Sequence, residues 1–306
     1  MADFEILDGA FQTILASDSK LRLIADGFQF TEGPVWFDDG ECLLFSDIPA
    51  DTIYRWKEGE GHAVWRKPSH HTNGNTLDRQ GRLISCEHGS RRVTRTEPDG
   101  SVTVLAATYG GRRLNSPNDA VVKSDGTLWF TDPPYGIRPE EQEQPACCVF
   151  RLDPGAKEPT PVVENLFRPN GLAFSPDERL LYVANSDRAE PVVRRFRVLV
   201  GGTSPSRDTR RGDTPPTMHN TLEGGEVLFR IDPGVPDGFR CDAEGRLYCT
   251  AGDGVQVFNP EGKLLGKIRT PQAAANCVFG GLDRRTLFIT AVRSVWAVRL
   301  NVRGAR

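Results

Sequence analysis

Seven cysteines are too few and too irregularly spaced to organise a chain of 306 residues. There is no C-x-x-C, Cys147 and Cys148 are adjacent, and an odd number leaves one thiol over in any disulfide framework. Neither a zinc knuckle nor a disulfide scaffold is supported, and the cysteines read as reduced, small core hydrophobes of a cytoplasmic protein. No stretch of the sequence approaches the roughly 18 consecutive apolar residues that a membrane-spanning helix needs. Basic charge is also lacking: the net charge is -3 and the pI about 6.0, so no nucleic-acid partner is expected. No G-x-S-x-G elbow occurs, which removes the usual serine-esterase signature. The opening residues Met1-Ala2-Asp3-Phe4-Glu5-Ile6 carry acid where a signal peptide carries Lys or Arg, and no apolar stretch follows.

Turn residues are in excess. Glycine and proline make up about 17% of the chain, against roughly 12% on average. With 38% hydrophobic residues the chain is rich enough for a core, which excludes disorder. A short pattern recurs through it, a polar or glycine turn followed by Leu and then an aromatic or β-branched residue. Anchored on Leu44, Leu83, Leu128, Leu181, Leu247 and Leu287, it repeats at spacings of 39, 45, 53, 66 and 40 residues. The shorter spacings suit one four-stranded propeller blade each. Polar insertions lengthen the others, 136–145 in one and 201–225 in the next. The second, with Arg207, Arg210 and Arg211, reads as a solvated loop, with a lid over the site as the alternative. A following strand with partial apolar–polar alternation completes each unit, as in Ile53-Tyr54-Arg55-Trp56 and Val295-Trp296-Ala297-Val298. The pattern predicts an all-β, six-bladed propeller as a single domain over 1–306, in which residues 1–30 help to close the last blade.

One polar residue stands at the same place in every unit, ten to twelve residues before the anchor: Glu32, Asn73, Asn118, Asn170, Asp237 and Asn276. Singly, Asn-Gly and Asp-Gly are turn dipeptides. Six in register place their oxygens on one point of the propeller axis. Two inward carboxylates are costly unless a cation neutralises them. Carboxylates and amide carbonyls without His or Cys form a hard-oxygen set, which suits Ca²⁺; Mg²⁺ or Mn²⁺ also fit, and Zn²⁺, which ordinarily recruits nitrogen or sulfur, is a further alternative because carboxylate sites accept it.

The stretches Glu32-Gly33-Pro34-Val35-Trp36, Ser46-Asp47-Ile48-Pro49, Pro117-Asn118-Asp119, Asn170-Gly171-Leu172, Pro236-Asp237-Gly238 and Cys277-Val278-Phe279-Gly280-Gly281 resemble the SMP-30/gluconolactonase/luciferin-regenerating-enzyme family. Cys86-Glu87-His88-Gly89 and Phe130-Thr131-Asp132-Pro133-Pro134-Tyr135-Gly136 resemble its bacterial gluconolactonases. The resemblance implies a six-bladed propeller with a divalent metal in its central channel that hydrolyses sugar lactones. It also implies Glu32, Asn170 and Asp237 as metal ligands, Asn118 as a substrate contact, and Asp237 as proton donor and acceptor. Asp119 is the rival base and a second substrate-side candidate, or else a turn residue facing a backbone amide. Ser116 stands where the vertebrate branch has a substrate-contacting Arg, so the sugar contacts differ.

His88 is expected as a satisfied polar contact inside the propeller, with binding of lactone oxygens as the alternative. His70 and His71, which precede Asn73, read as part of a solvated loop, with a place at the edge of the entrance as the alternative. Two other functions remain open at this point: hydrolysis of phosphotriesters or fluorophosphates by the same ligand types, and a non-catalytic binding scaffold. The expected partner is a small-molecule lactone, and the expected state a monomer or weak homodimer.

Overall fold

The computed structural model describes residues 3–199 and 221–305. Six antiparallel sheets surround a central channel, each running from an innermost to an outermost strand, and they form a six-bladed β-propeller. Blade 1 is Thr31–Phe37, Cys42–Asp47, Thr52–Lys57 and Gly61–Arg66. Blade 2 is Thr72–Leu77, Leu83–Glu87, Arg92–Thr96 and Val102–Ala106, and blade 3 is Ala120–Val122, Leu128–Asp132, Cys148–Leu152 and Thr160–Val163. Blade 4 is Pro169–Phe174, Leu180–Asp187, Glu190–Val198 and Leu222–Arg230. Blade 5 is Phe239–Cys241, Leu247–Ala251, Gly254–Phe258 and Leu264–Arg269. Blade 6 is Asn276–Gly280, Thr286–Ala291 and Ser294–Arg299, with Arg22–Asp26 as its outermost strand.

Every repeated Leu lies in the second strand of its blade and is buried. These second strands are buried along nearly their whole length because both faces are covered by neighbouring blades, whereas the outermost strand Gly61–Arg66 is largely exposed. Apolar packing is divided the same way. A separate cluster of buried side chains fills each blade-to-blade interface. Trp36 and Phe288 stack at 5.3 Å between blades 1 and 6. All seven cysteines are free and six of them are buried, so they pack as small hydrophobes.

The N-terminal segment ties the ring shut. Arg22–Asp26 pairs antiparallel with Ser294–Arg299, and Phe4–Ile6 adds a fifth strand to blade 5 beside Leu264–Arg269. Between them the helix Gly9–Ile14 is capped by Asp8, whose side chain accepts from the Ala10 N–H at 2.8 Å. The helix buries Phe11 and Ile14 completely between blades 5 and 6. Phe11 lies so close to the outer strand of blade 5 that a Cβ on Gly266 would stand 2.5 Å from its ring.

The insertion expected over 201–225 lies outside the described residues up to 220, and its last residues belong to the strand Leu222–Arg230. Among the described residues no helix is long and apolar enough to cross a membrane.

Because Phe11 joins the N-terminal helix to two blades, Phe11→Ala is expected to destabilise the protein by about 3–5 kcal/mol. Urea unfolding should show a lower midpoint with an unchanged slope. A change below about 1 kcal/mol would mean that the helix is an appendage and not a closure.

Candidate metal and active site

The six polar residues selected by register come together at one mouth of the channel. Glu32, Asn73, Asn170 and Asn276 lie within the first residues of their inner strands, and Asn118 and Asp237 stand two residues before theirs. The backbone explains how they approach so closely. In four blades the next residue is glycine, and a Cβ there would collide with the neighbouring blade. At Gly33 it would lie 2.0 Å from the Asn73 carbonyl oxygen, at Gly74 2.4 Å from that of Asn118, and at Gly171 2.3 Å from that of Asp237. At Gly238 it would lie 2.0 Å from the Asn276 side chain. Of the four only Gly33 has a positive φ, so absence of a side chain, not turn conformation, is what three of these positions require.

Second strands hold the ring from behind. Asp47 accepts from the Gln29 and Phe30 N–H groups, both at 3.0 Å, just ahead of Glu32. Asp132 accepts from the Asn115 N–H at 2.8 Å ahead of Asn118, and Asn185 accepts from the Arg168 N–H at 3.1 Å ahead of Asn170. Hydroxyls then stitch blade to blade: Ser46 Oγ donates to the Asn73 carbonyl at 2.8 Å, and Thr250 Oγ1 reaches the Gly238 and Ala275 carbonyls at 2.7 and 3.0 Å. None of these supporting roles was assigned from sequence. The recurrence of Asp or Asn fourteen or fifteen residues after the ring position in blades 1, 3 and 4 is the signal that carries them.

A cavity of about 590 Å³ opens at this mouth. Glu32, Asn73, His88, Asn118, Asn170 and Asp237 line its floor and wall, with Phe30, Ile48, Tyr135, Arg168 and Asp187 around the entrance. Within the ring, Asn73 Nδ2 donates to Asn118 Oδ1 at 2.6 Å, and Asn118 Nδ2 donates to Asn170 Oδ1 at 2.7 Å. Asn276 does not border the cavity. It donates from Nδ2 to Glu32 Oε2 at 3.0 Å and to Asp119 Oδ2 at 3.4 Å. Asp119, expected beside Asn118 on the substrate side, does not border the cavity either. Its Oδ1 accepts from the Ala120 N–H at 2.9 Å, and its Oδ2 lies 3.6 Å from Arg240 Nη1.

Charge separates the two mouths of the channel. Burial, then the Asp237 charge, pushes the Glu32 carboxyl well above its usual range. Burial and the nearby Asp119 charge push Asp237 up in turn. Asp119 is raised by burial although Arg240 opposes the shift. Arg240, on the inner strand of blade 5, was not singled out from sequence, and it serves Asp119 alone of the three. At the far mouth, a second cavity of about 530 Å³, the carboxylates are already matched: Asp78 by Arg82, Glu178 by Arg79 and Lys123, and Asp38 by Arg284.

The ring therefore fits a divalent cation. Two repelling, desolvated carboxylates face one cavity beside the amide oxygens of Asn118 and Asn170. Among the described residues no three His, Cys, Asp or Glu side chains come together as a ligand set, so the donors must include those carboxamides. This all-oxygen chemistry matches Ca²⁺ in type.

The sequence matches the family described as SMP-30/Gluconolactonase/LRE-like region over residues 30–293. It is 35% identical to a gluconolactonase of Zymomonas mobilis over 95% of this chain and 84% of that one. The fold superposes on the structure of a gluconolactonase from Xanthomonas campestris with a TM-score of 0.85 and 35% identity, covering 98% of this chain and 95% of that one. A calcium-binding protein, regucalcin, from Agrobacterium tumefaciens shares the fold at a TM-score of 0.74 and 17% identity, over 94% of this chain and 95% of that one.

The support behind Asn118 carries a pH dependence. Burial pushes the Asp132 carboxyl up to about 7, against the opposing backbone N–H groups of Asn115 and Ser116 and the Arg91 charge. Its folded value lies above the unfolded one. Its stabilising contribution is therefore complete below about pH 4 and is lost as pH rises through about 7. Asp132→Asn should flatten this part of the curve, read as melting temperature between about pH 5 and 8. An unchanged slope would place the titration elsewhere.

Proposed function

This chain belongs to the SMP-30/gluconolactonase/LRE-like family, and on that footing we propose that it is an enzyme of carboxylic ester hydrolysis, a lactonase that opens a sugar lactone such as D-glucono-1,5-lactone with the help of Ca²⁺. The observation that carries the reading is the carboxylate pair, a buried Glu32 and a partly buried Asp237 at the floor of a ligand-sized cavity, which among the described residues has no counter-cation of its own. A propeller that served only as a binding scaffold would have no use for two inward acids at this position.

Glu32, Asn170 and Asp237 would hold the cation. When bound, it supplies Lewis acidity that polarises the lactone carbonyl and eases deprotonation of water. Asn118 lies between the ligand Asn170 and the cavity wall, where its amide meets the substrate. Asp237 takes a proton from the attacking water and returns it to the ring oxygen as the C–O bond breaks. Asp237 suits this role better than Asp119 because it borders the cavity, whereas both oxygens of Asp119 are engaged by Ala120, Arg240 and Asn276. Asp119 with Arg240 then forms a fixed pair behind the ring. Ser186, which donates to the Pro236 carbonyl, holds the chain leading into Asp237.

The test is lactone hydrolysis followed by pH-stat on chelator-stripped protein. Activity on D-glucono-1,5-lactone should be absent after stripping and return with Ca²⁺. Asp237→Asn should lower kcat by about 10²–10⁴-fold. Full activity in the stripped protein would remove the metal from the reaction, and near-wild-type turnover in Asp237→Asn would remove its central role. Turnover of phosphotriesters in place of lactones would assign the site to the other hydrolase class.

A further inference from the structure

Tyr135 borders the cavity along with Asn170 and Asp237, and the reaction just described gives it no part. It stands in the loop that follows the second strand of blade 3, Leu128–Asp132, at the start of the polar insertion 136–145. That loop is anchored at both ends. At the near end the Ser116 hydroxyl accepts from the Gly136 N–H at 2.8 Å and donates to the Pro133 carbonyl at 2.7 Å. One hydroxyl thereby closes the turn Pro133-Pro134-Tyr135-Gly136. Ser116 is fully buried and meets no ligand itself. At the far end Gln144, also buried, turns its Nε2 to the Tyr109, Arg112 and Arg113 carbonyls at 3.0, 3.1 and 3.1 Å.

The closed turn fixes where the aromatic side chain goes. A Cβ on Gly136 would lie 2.6 Å from His88 Cβ, so the turn rests directly on the end of blade 2. Arg168, just ahead of the inner strand of blade 4, lies over the Tyr135 ring at 5.5 Å. The ring is thus bounded at the entrance, and its hydroxyl reaches inward: the Ser186 and Asn170 side chains and the Asp237 charge act on it, and all three residues line the cavity. A phenol ordinarily titrates near 10. Burial, and then the Asp237 charge, push Tyr135 further up, so near pH 7 its oxygen carries a hydrogen to donate.

We infer that Tyr135 is a catalytic residue whose O–H, held in the cavity by the turn that Ser116 closes, donates a hydrogen bond to the carbonyl oxygen of the ester group as charge develops on it. The role rests on the hydrolase reading above. Ionised carboxylates only accept, and the Asn118 amide is tied to Asn170, so Tyr135 supplies a neutral donor beside them. It keeps its proton throughout: the proton of the attacking water passes to Asp237 and from there to the ring oxygen as the C–O bond breaks. A fixed donor is worth most where the charge is largest. Tyr135 therefore acts on the transition state, and on the product carboxylate, more than on the neutral lactone. Ser116 is a positioning residue that acts through Tyr135.

Tyr135→Phe keeps the ring and removes only the donor. With Ca²⁺ present, its kcat on D-glucono-1,5-lactone should fall about 10²-fold with KM nearly unchanged, and calorimetry should find Ca²⁺ bound as in the wild type. Ser116→Ala should also lower kcat, yet cost little more when added to Tyr135→Phe, because the clamp acts through that side chain. Near-wild-type kcat in Tyr135→Phe overturns the inference. So does weakened Ca²⁺ binding, which would make Tyr135 a support for Asn170, and additive losses overturn the role of Ser116. D-gluconate, whose carboxylate carries the charge the donor meets, separates the inference from the lactonase reading. If the wild type hydrolyses no lactone, that reading fails. Gluconate bound about tenfold more weakly by Tyr135→Phe would still uphold the donor, and equal binding, or none to either protein, would overturn it.

Discussion

The site depends on how closely the inner strands approach one another around the axis. Where Gly33, Gly74, Gly171 and Gly238 stand, the neighbouring blade leaves no space for even a methyl group. That contact brings Glu32, Asn118, Asn170 and Asp237 together, where burial desolvates the two acids. Six interface cores and the N-terminal closure supply the packing that keeps the strands there. The electrostatic tension at the mouth is thus a product of the packing, and the packing must be strong enough to sustain it.

That tension is distributed unevenly, and function follows the imbalance. Arg240 answers Asp119, and arginines and a lysine answer the carboxylates of the far mouth, but among the described residues Glu32 and Asp237 receive only amide and backbone donors. A divalent cation is the natural complement of such a pair, and hard oxygen donors set its type. Beside the pair, Asn73, Asn118 and Asn170 are linked amide to amide across three blades.

Much of this was legible in the sequence because it is periodic. The repeated Leu and the alternating strand after it mark blades, and the six polar positions fall in register with them. Read singly, Asn73-Gly74, Asn170-Gly171 and Asp237-Gly238 are turn dipeptides. Their glycines answer instead to the next blade, a contact that no local pattern reveals. Arg240 was hidden for a similar reason: an arginine in a strand reads as solvent-facing unless Asp119, far away in sequence, is known to lie opposite. His88 was recognised as a residue inside the propeller, and it borders the cavity beside Asn73. Asp119 shows the opposite limit, since adjacency to Asn118 in sequence suggested a shared role, while successive residues at this point face the cavity and the ring's interior respectively.

We propose that Glu32 and Asp237 form the site of one cation at one mouth of the channel. Calorimetric titration of chelator-stripped protein with Ca²⁺ tests it most directly, comparing the wild type with Glu32→Gln and with Asp78→Asn at the far mouth. The account predicts one Ca²⁺ per chain, lost in Glu32→Gln and retained in Asp78→Asn. Undiminished binding in Glu32→Gln, or no binding by the wild type, would contradict it.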